Sequence, residues 1–328
     1  MAERIEFDPL HPNWIIPAWG SAVYCVNLLL PRLPPHKWKQ SFLFITKEVI
    51  VIEKWGFLNT GFQTAAVNMA MDEALLNWHK EGLIPPTLRF YGWRTPSLSV
   101  GRFQKVNEQI DLAAVDHYHC DFVRRLTGGS AVLHDDELTY SIVVTEEHPN
   151  IPQTVREAYH VLTKGILEGY RNLGIQADYA YPTKMAAKKD RSAVCFEQVA
   201  YYEMVVDGKK LSGNAQTRKD GVLLQHGSIP MSINEEMLFD LFLFPSEQIK
   251  KQKRQAFANK AIAINQITNK KHMFDQLVKA FYKGFQTGLN VTFTPLTLTQ
   301  QQWDEVHHLA KTKYATLETE PILHPKNH

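Results

Sequence analysis

The spacing of hydrophobic and polar positions becomes regular only after about residue 50. Before that point, proline, tryptophan and scattered apolar residues show neither the helical nor the strand period. Beyond it, alternating runs rich in β-branched and aromatic residues predict strands, and apolar residues three and four positions apart predict helices. The predicted strands span residues 53–58, 87–93, 97–100, 120–125, 138–145, 199–206 and 222–229, and the predicted helices span 68–79, 155–173, 234–243 and 271–287.

Two helices carry sequence signals for their first turn. Thr154 and Glu157 form a capping-box pattern, and Gly174 is a residue type at which helices commonly stop. Thr299 and Gln302 repeat the pattern and predict a last helix. Because strands cluster along the chain with helices between and after them, the order of elements predicts an α+β fold.

The first 50 residues are distinct from the rest of the chain in their patterning. We predict that residues 1–50 are either a disordered extension or the product of a misassigned start. Lys47, Glu48 and Val49 can be encoded by a ribosome-binding sequence, and Val51 can be encoded by an alternative start codon a few nucleotides later.

Composition narrows the classes of function. A chain of 328 residues with 44% hydrophobic and 21% charged residues can bury a sizeable core. Its formal net charge of +2 gives no global field that would gather nucleic acid or anionic lipid. No apolar run approaches the roughly 18 residues that cross a bilayer, and the N-terminus lacks the pattern of a signal peptide. We therefore expect no nucleic-acid or membrane partner.

The cysteines indicate a reducing compartment. Only Cys25, Cys120 and Cys195 occur, an odd number without paired spacing, so a secreted disulfide framework is not expected and a cytoplasmic location is. Cys195 follows a lysine-rich loop that can stabilise a thiolate; an inert, buried cysteine is the alternative. Cys120 stands close to His117 and His119, but this spacing matches no common zinc pattern, so no metal site is expected.

Three further features could carry chemistry. The stretch 124–135 places Gly128 and Gly129 after a basic strand end, where amide N–H groups beside guanidinium groups suit a phosphate or carboxylate; a tight turn is the alternative. A second basic stretch leads from Lys210 into small polar residues, and a hairpin tip with surface lysines is its alternative. His226 precedes a glycine in a predicted strand, where a structural role is the alternative to a catalytic one.

Together these stretches resemble the biotin/lipoate protein ligase superfamily from about residue 55 to about residue 265. The family's Arg-Arg-x-x-Gly-Gly-x-x-Val-x-His-Asp stretch is matched, and so is its Lys-x-Ser/Ala-Gly-Ser/Asn-Ala-Gln stretch about eighty residues later. The matching positions are Arg124, Arg125, Gly128, Gly129, Val132, His134, Asp135, Lys210, Ser212, Gly213, Asn214, Ala215 and Gln216. Within the superfamily, residues 89–93, 138–141, 194–196 and 215–218 are similar to the LipM-type octanoyltransferases of Firmicutes.

The resemblance implies an α+β fold, a mixed twisted sheet with packed helices, and an acyl tunnel between the two motif loops. Residues 51–290 are then the catalytic domain, and residues 291–328 are a C-terminal strand and helix packed on it. In the octanoyltransferase group the cysteine matched by Cys195 is the acyl-thioester nucleophile. The lysine matched by Lys210 lowers the pKa of that cysteine and stabilises the oxyanion or orients the acyl group. The positions expected to bind substrate are Arg124, Arg125, Gly128, Gly129, His134, Ser212, Gly213, Ala215 and His226.

The reaction implied by the resemblance moves an octanoyl group from acyl carrier protein to a lysine of a lipoyl domain, such as the glycine-cleavage H protein. It needs no ATP or metal, and a monomer suffices. The acidic donor is expected to dock on a patch made of Arg124, Arg125, Lys188, Lys189 and Arg191.

Three alternatives to octanoyl transfer from the carrier protein remain open. They are an ATP-dependent lipoate-protein ligase, a relay amidotransferase that takes octanoyl from the H protein, and a non-catalytic protein that binds lipoyl domains. Ser130, where the ligases commonly have a third glycine, and Cys195 itself favour thioester transfer over adenylate chemistry.

Overall fold

The computed structural model describes residues 52–180 and 203–315. The strands in these ranges are β1 (Glu53–Gln63), β2 (Thr87–Trp93), β3 (Ser97–Val100), β4 (Asp121–Arg124), β5 (Val132–His134), β6 (Glu137–Thr145), β7 (Asp178–Tyr179), β8 (Met204–Val206), β9 (Lys209–Lys210), β10 (Gly213–Lys219), β11 (Val222–Pro230) and β12 (Val291–Pro295). The helices are α1 (Ala65–Lys80), α2 (Val106–Gln109), α3 (Leu112–His117), α4 (Val155–Asn172), α5 (Glu235–Asp240), α6 (Glu247–Phe257), α7 (Ile264–Thr268), α8 (Phe274–Leu289) and α9 (Gln300–Leu309), followed by a π-helical turn (Ala310–Tyr314).

A six-stranded mixed sheet organises the fold. Its strand order is β10-β11-β6-β2-β1-β12. Strand β1 runs parallel to both β2 and β12, whereas β2, β6, β11 and β10 pair antiparallel in succession. The predicted mixed sheet and α+β class are confirmed. Two three-stranded sheets, β4-β3-β5 and β7-β8-β9, lie beside it.

The central strands of the sheet are buried on both faces. Every residue of β2 and β11 is buried, which explains why their sequences are apolar over most of their length rather than alternating. One face packs on α4 and α8, and the other packs on α1, α9 and the π-helical turn. Phe90 of β2 belongs to the first of these cores, and its neighbour Tyr91 belongs to the second. Successive side chains of a strand point to opposite faces, so one strand supplies both cores.

Tight turns and caps fix the ends of several elements. Helix α1 begins three residues earlier than the apolar pattern predicts because the Thr64 hydroxyl caps it, accepting from Val67 N at 3.4 Å. The predicted capping box forms at Thr299, where Gln302 accepts from Thr299 N; at Thr154 the hydroxyl caps the helix as predicted, but Glu157 accepts from that hydroxyl group. Asp207 and Gly208 both adopt positive φ, as the hairpin turn between β8 and β9 requires. Residues 199–202 of the predicted strand 199–206 lie outside the described residues.

Helices α4 and α8 cross at glycines. A Cβ on Gly284 would lie 2.6 Å from the carbonyl oxygen of Gly165, and Phe281 and Phe285 cover Gly169 and Gly165 in turn. Such a close approach of two backbones leaves no room for a methyl group.

In residues 52–180 and 203–315, no helix is both long enough and apolar enough to cross a membrane.

At Gly284 we expect alanine to destabilise the protein, which is the opposite of its usual effect in a helix. In an exposed helix, replacing glycine by alanine stabilises by about 1 kcal/mol. Here we expect Gly284→Ala to lower the free energy of unfolding by about 1–3 kcal/mol, because the added methyl group overpacks the contact. Urea unfolding measures the change. Lys283→Ala, one residue earlier and exposed, is the control and should stay within about 0.5 kcal/mol of wild type. A stabilised Gly284→Ala variant would contradict the packing described.

Candidate active site

A cleft opens where the two sequence motifs meet. Helix α1, strands β2, β3 and β6, and the residues around β5 form part of its wall, and the facing ends of β10 and β11 complete it. The residues that line the cleft are Met69, Tyr91, Trp93, Ser99, Arg125, Gly129, Val132, His134, Thr139, Gly213, Asn214, Ala215, His226, Gly227 and Ser228. Of the predicted substrate-binding residues, the structure therefore brings Arg125, Gly129, His134, Gly213, Ala215 and His226 to one cavity.

The paired arginines of the first motif point inward. Arg124 is 6% exposed, and one of its nitrogens donates to the carbonyl oxygens of Gly101 and Gln104, each at 2.9 Å. Arg125 is 5% exposed and donates to the carbonyl oxygens of Gly128 at 2.9 Å and Ser130 at 2.8 Å. Arg125 thereby holds the glycine loop in place, with Gly129 at a φ of +94°.

The predicted docking patch is wrong in its two arginines. Arg124 and Arg125 are buried and bind carbonyl groups of their own chain, so neither presents its charge to a partner's surface. Lys188, Lys189 and Arg191, the other members of that patch, lie outside the described residues. The role of the two arginines in binding substrate stays a prediction, which the position of Arg125 in the cleft favours.

His134 is held between a carboxylate and a hydroxyl group. Its Nδ1 lies 2.8 Å from Oε1 of Glu137, and its Nε2 lies 2.7 Å from Oγ of Ser99. The imidazole stacks on the Trp93 ring, with the ring centroids 4.0 Å apart and the planes 13° from parallel. Glu137 also accepts from Trp93 Nε1 at 3.1 Å and from the Ser228 hydroxyl. This buried carboxylate therefore fixes the orientation of the imidazole in the cleft.

His226 is likewise held between a carboxylate and a hydroxyl group. Its Nδ1 lies 3.2 Å from Oδ2 of Asp72, and its Nε2 lies 2.7 Å from Oγ1 of Thr127. Burial alone would raise the pKa of Asp72, but the Arg89 guanidinium, with His226 and Ser141, lowers the pKa of this carboxyl group below its ordinary value. Burial also lowers the pKa of His226, so the imidazole is neutral at neutral pH.

Arg125 joins the two histidine systems. Its guanidinium donates to the Ser99 hydroxyl at 3.0 Å and to the Thr127 hydroxyl at 3.3 Å. Each hydroxyl that accepts from Arg125 can donate its own proton to the Nε2 of its histidine. The Nδ1 proton then faces the carboxylate. This hydrogen-bond pattern favours, at both histidines, the tautomer with the proton on Nδ1.

Lys210 lies in a buried ion pair rather than at a hairpin tip. It is 1% exposed in β9, and its Nζ lies 2.6 Å from Oε1 of Glu203, itself 5% exposed. Its backbone is held as well, because Lys210 N donates to Lys260 O at 2.8 Å and Ile262 N donates to Lys210 O at 3.0 Å. Ser212 is fully buried two residues later. Cys195, the predicted nucleophile, lies outside the described residues.

The second motif fixes β10 to its neighbours. Asn214 Oδ1 accepts from the Tyr140 hydroxyl at 2.9 Å, and Asn214 Nδ2 donates to the Tyr159 hydroxyl at 3.1 Å. Gln216 Nε2 donates to Gln225 Oε1 at 3.0 Å across the β10–β11 pair. In this chain the amide side chains at alternate positions of the motif thus hold the backbone of Gly213 and Ala215 against the cleft.

Several residues of the site were not predicted from the sequence. Asp72 carried a usable signal, because it follows Met69 by three positions and so places a carboxylate on the apolar side of a predicted helix. Glu137 follows two other acidic residues, and their spacing does not show which of the three is buried. Ser99, Thr127 and Glu203 carried no signal that sets them apart from ordinary polar residues.

A family model matches most of the described chain. The model of the lipoyl protein ligase A/B catalytic domain aligns with residues 64–286. The chain belongs to this family. The octanoyltransferase LipM of Oceanobacillus iheyensis is 54% identical over 263 residues, which cover 80% of this chain and 95% of the relative. Those of Bacillus subtilis and Staphylococcus aureus are 52% and 47% identical, over 80% and 79% of this chain and 96% and 95% of their own.

Solved structures of the family share the fold. A bipartite lipoate protein ligase from Thermoplasma acidophilum, described with its E2 lipoyl domain, has a TM-score of 0.68 at 21% identity, covering 84% of this chain and all of its own. A lipoate-protein ligase A bound with ATP has a TM-score of 0.64 at 21% identity, over 81% of this chain and 97% of its own. The predicted membership of the family and its fold are confirmed.

Because Asp72 lies at the centre of this polar network, we expect its substitution to destabilise the fold strongly. Asp72→Asn leaves the Arg89 guanidinium, which is 2.7 Å from Asp72 and fully buried, without its counter-charge. We expect the free energy of unfolding at pH 7 to fall by about 3–5 kcal/mol. Asp220→Asn, which breaks the half-exposed pair with Lys80, should cost less than about 1 kcal/mol.

The same variant tests how the contribution of Asp72 to the free energy of unfolding changes with pH. The folded-state pKa of Asp72 is lowered, so its contribution to stability is present above the ordinary value of 3.8 and is lost as the pH falls below it. The difference in unfolding free energy between wild type and Asp72→Asn should therefore shrink on acidification, as followed by urea unfolding from pH 7 downwards. Equal losses for Asp72→Asn and Asp220→Asn at pH 7 would contradict this account.

Proposed function

We propose that this chain transfers an octanoyl group from an acyl-carrier-protein thioester to a lysine of a lipoyl domain, through a thioester on Cys195. The observation that carries the proposal is 47–54% identity, over about 95% of their length, to proteins named as octanoyltransferases. The Thermoplasma ligase, which is described with an E2 lipoyl domain, supports a lipoyl domain as the acceptor. The glycine-cleavage H protein is the first acceptor to test.

The proposed reaction has two balanced steps. The Cys195 thiolate attacks the donor thioester, a new carbon–sulfur bond forms, and the carrier's thiol leaves as a thiolate that takes up a proton. The neutral amine of the acceptor lysine then attacks the acyl-cysteine, a carbon–nitrogen bond forms, and Cys195 leaves as a thiolate while the nitrogen loses a proton. The donor thioester supplies the free energy, so the proposal requires neither nucleotide nor metal.

Lys210 and Glu203 support the first step. The cysteine is nucleophilic only as a thiolate, and a nearby ammonium group favours that form. A lysine that is 1% exposed keeps its charge only with a counter-charge, which the carboxylate of Glu203 provides at 2.6 Å. We therefore assign Lys210 the charge that stabilises the thiolate and the oxyanion, and Glu203 the task of holding it.

The two imidazoles suit the second step. An acceptor lysine arrives as an ammonium ion and must lose a proton before it can attack. His134 and His226 both line the cleft, and the Nε2 of each lies 2.7 Å from a hydroxyl group that Arg125 holds in place. That hydroxyl group can take up the proton while it passes its own to Nε2, and the carboxylate on Nδ1 stabilises the imidazolium that results.

The acyl-enzyme is the first species to look for. The purified full-length protein is mixed with octanoyl-acyl carrier protein, without nucleotide or acceptor, and its intact mass is recorded. We expect a gain of one octanoyl group that hydroxylamine removes and that Cys195→Ala abolishes. A protein that gains nothing, but modifies an acceptor when octanoate and ATP are supplied, would be a ligase.

Cys120 provides the matched control for this experiment. Burial, together with Asp135 and Asp121, raises the pKa of its thiol to about 11, so it is protonated at neutral pH. Cys120→Ala should therefore gain octanoyl at the wild-type rate. Iodoacetamide at pH 7 should likewise modify Cys195 well before Cys120.

Two variants test the Lys210–Glu203 pair: one removes the positive charge alone, and the other removes both charges. Lys210→Gln removes the positive charge that lies 2.6 Å from the buried Glu203 carboxylate and should lower the free energy of unfolding by about 3–5 kcal/mol. The double variant Lys210→Gln, Glu203→Gln removes both charges and should recover most of that loss. Both variants should gain octanoyl about 10²–10³-fold more slowly than wild type. A double variant that is acylated at the wild-type rate would make Lys210 a structural residue only.

A further inference from the structure

Helix α6 is a surface helix with an unusual concentration of positive charge. Of its eleven residues only Phe257 is buried. Four basic residues, Lys250, Lys251, Lys253 and Arg254, stand against the single acidic Glu247, a surplus of three positive charges on a chain whose formal net charge is +2. Amphipathic surface helices usually bury an apolar stripe, and this one does not.

The inner basic residues of α6 attach it to the domain. Lys250 Nζ lies 2.6 Å from Oδ1 of Asp240 at the end of α5, and the Tyr118 hydroxyl donates to the other carboxylate oxygen of Asp240 at 2.5 Å. Lys253 Nζ lies 5.8 Å from the centre of the Phe244 ring. These contacts fix one side of the helix against α3 and the loop after α5.

Two basic residues of the helix, Lys251 and Arg254, remain exposed to a partner, and Arg254 also lies close enough to Asp240 to help lower the pKa of that carboxyl group. Lys251 and Arg254 are both exposed, and among the residues that the structure describes neither forms an ion pair. Charges of this kind contribute little to the stability of a fold. They lie on a helix whose inner side is already anchored, so a partner meets them on a fixed scaffold.

The helix leads directly to the candidate catalytic lysine. After Phe257 the chain turns, and Lys260 and Ile262 hydrogen-bond to the backbone of Lys210. Lys260 follows Arg254 by six positions, so at most about 20 Å of extended chain joins Arg254 to the backbone that pairs with Lys210. The C-terminal end of α6 is therefore connected, within a few residues, to the strand that carries the candidate catalytic lysine.

We infer that the positive face of helix α6, presented by Lys251 and Arg254, docks the acidic surface of the acyl carrier protein that brings the octanoyl group. The inference rests on the proposed function. A carrier protein holds its acyl chain at the end of a phosphopantetheine arm, so its body must rest beside the reacting groups rather than on them. Helix α6 is connected to the Lys210 strand by a few residues and contributes no residue to the lining of the cleft, which is consistent with that requirement, and the opposite charges favour encounter.

Two other kinds of partner fit the helix less well. A membrane-surface helix needs an apolar face as well as a basic one, and α6 exposes only Ile249 among its large apolar residues. Nucleic-acid binding needs many basic residues along a phosphate backbone, and α6 has only two exposed ones, Lys251 and Arg254. The carrier protein is thus the occupant that the charge, the position and the proposed reaction support together.

The test reverses the outer charges and compares two donors. Lys251→Glu with Arg254→Glu is assayed for acylation of Cys195 by octanoyl-acyl carrier protein and by octanoyl-pantetheine, which has the arm's thiol but no protein body. For the carrier-bound donor we expect KM to rise about tenfold or more with kcat unchanged. The difference from wild type should shrink at 0.5 M salt, where charge attraction is screened. With octanoyl-pantetheine the variant should match wild type.

A matched control places the same change elsewhere. Lys279→Glu with Lys283→Glu reverses two exposed charges on α8 and should leave both donors unaffected. An unchanged KM for the carrier-bound donor in the α6 variant would overturn the docking proposal, and so would an equal loss with both donors. An effect confined to the acceptor's KM in the second step would assign the helix to the acceptor instead. If wild type takes octanoyl from neither donor, the proposed function itself fails, and the docking proposal fails with it.

Discussion

The buried ion pair between Asp72 and Arg89 is the interaction on which the rest of the site depends. Arg89 in β2 is fully buried and also donates to the Thr60 hydroxyl of β1. Asp72 in α1 accepts from the Ser141 hydroxyl of β6 and contacts the imidazole of His226 in β11. One charge pair thus connects a helix with four strands. Since a buried charge without its partner costs several kcal/mol, the position of each element constrains the others.

Arg125 extends this constraint from the sheet to the two motif loops. The Asp72 carboxylate orients His226, the hydroxyl of Thr127 meets that imidazole, and Arg125 contacts the same hydroxyl. Through Ser99 the guanidinium reaches the second system, in which Glu137 orients His134. The groups that face the cleft are therefore fixed before a substrate arrives. Preorganised polar groups of this kind stabilise developing charge without reorganising during the reaction.

How far the sequence predicted the structure depended on the range of the interactions involved. Periodicity and capping residues are local signals, and they located α4, β6 and β11 to within a residue or two of their observed ends. The α+β class followed from the order of such elements, while the mixed sheet and the membership of the family followed from the motif resemblance. Glu203 could not be predicted, because its partnership with Lys210 depends on a β-hairpin that returns the chain to place the two side chains diagonally across it.

The same limit explains why the sequence placed the arginines of the first motif on the surface. Arg124 and Arg125 directly follow an apolar pair in a predicted strand, and a strand end ordinarily reaches solvent. Here the carbonyl groups of the glycine loop accept from the Arg125 guanidinium, and those of Gly101 and Gln104, after β3, accept from Arg124. Whether an arginine at a strand end points out or in depends on that loop geometry. The residue type and its spacing do not contain it.

Net charge describes this chain poorly, because some of its basic residues are buried in ion pairs and others are exposed to solvent. Arg89 and Lys210 face buried carboxylates, and those pairs cancel inside the fold. The field that a partner meets is then set by exposed segments such as α6, and the total of +2 cannot reveal them. A buried charge acts at short range and is little screened, whereas an exposed one acts through solvent and weakens with salt. An enzyme whose substrate is carried by another protein can use the first kind for chemistry and the second for encounter. If α6 docks the donor as proposed, the short segment between Phe257 and Ile262 links the two kinds of charge, because it joins α6 to the backbone of Lys210.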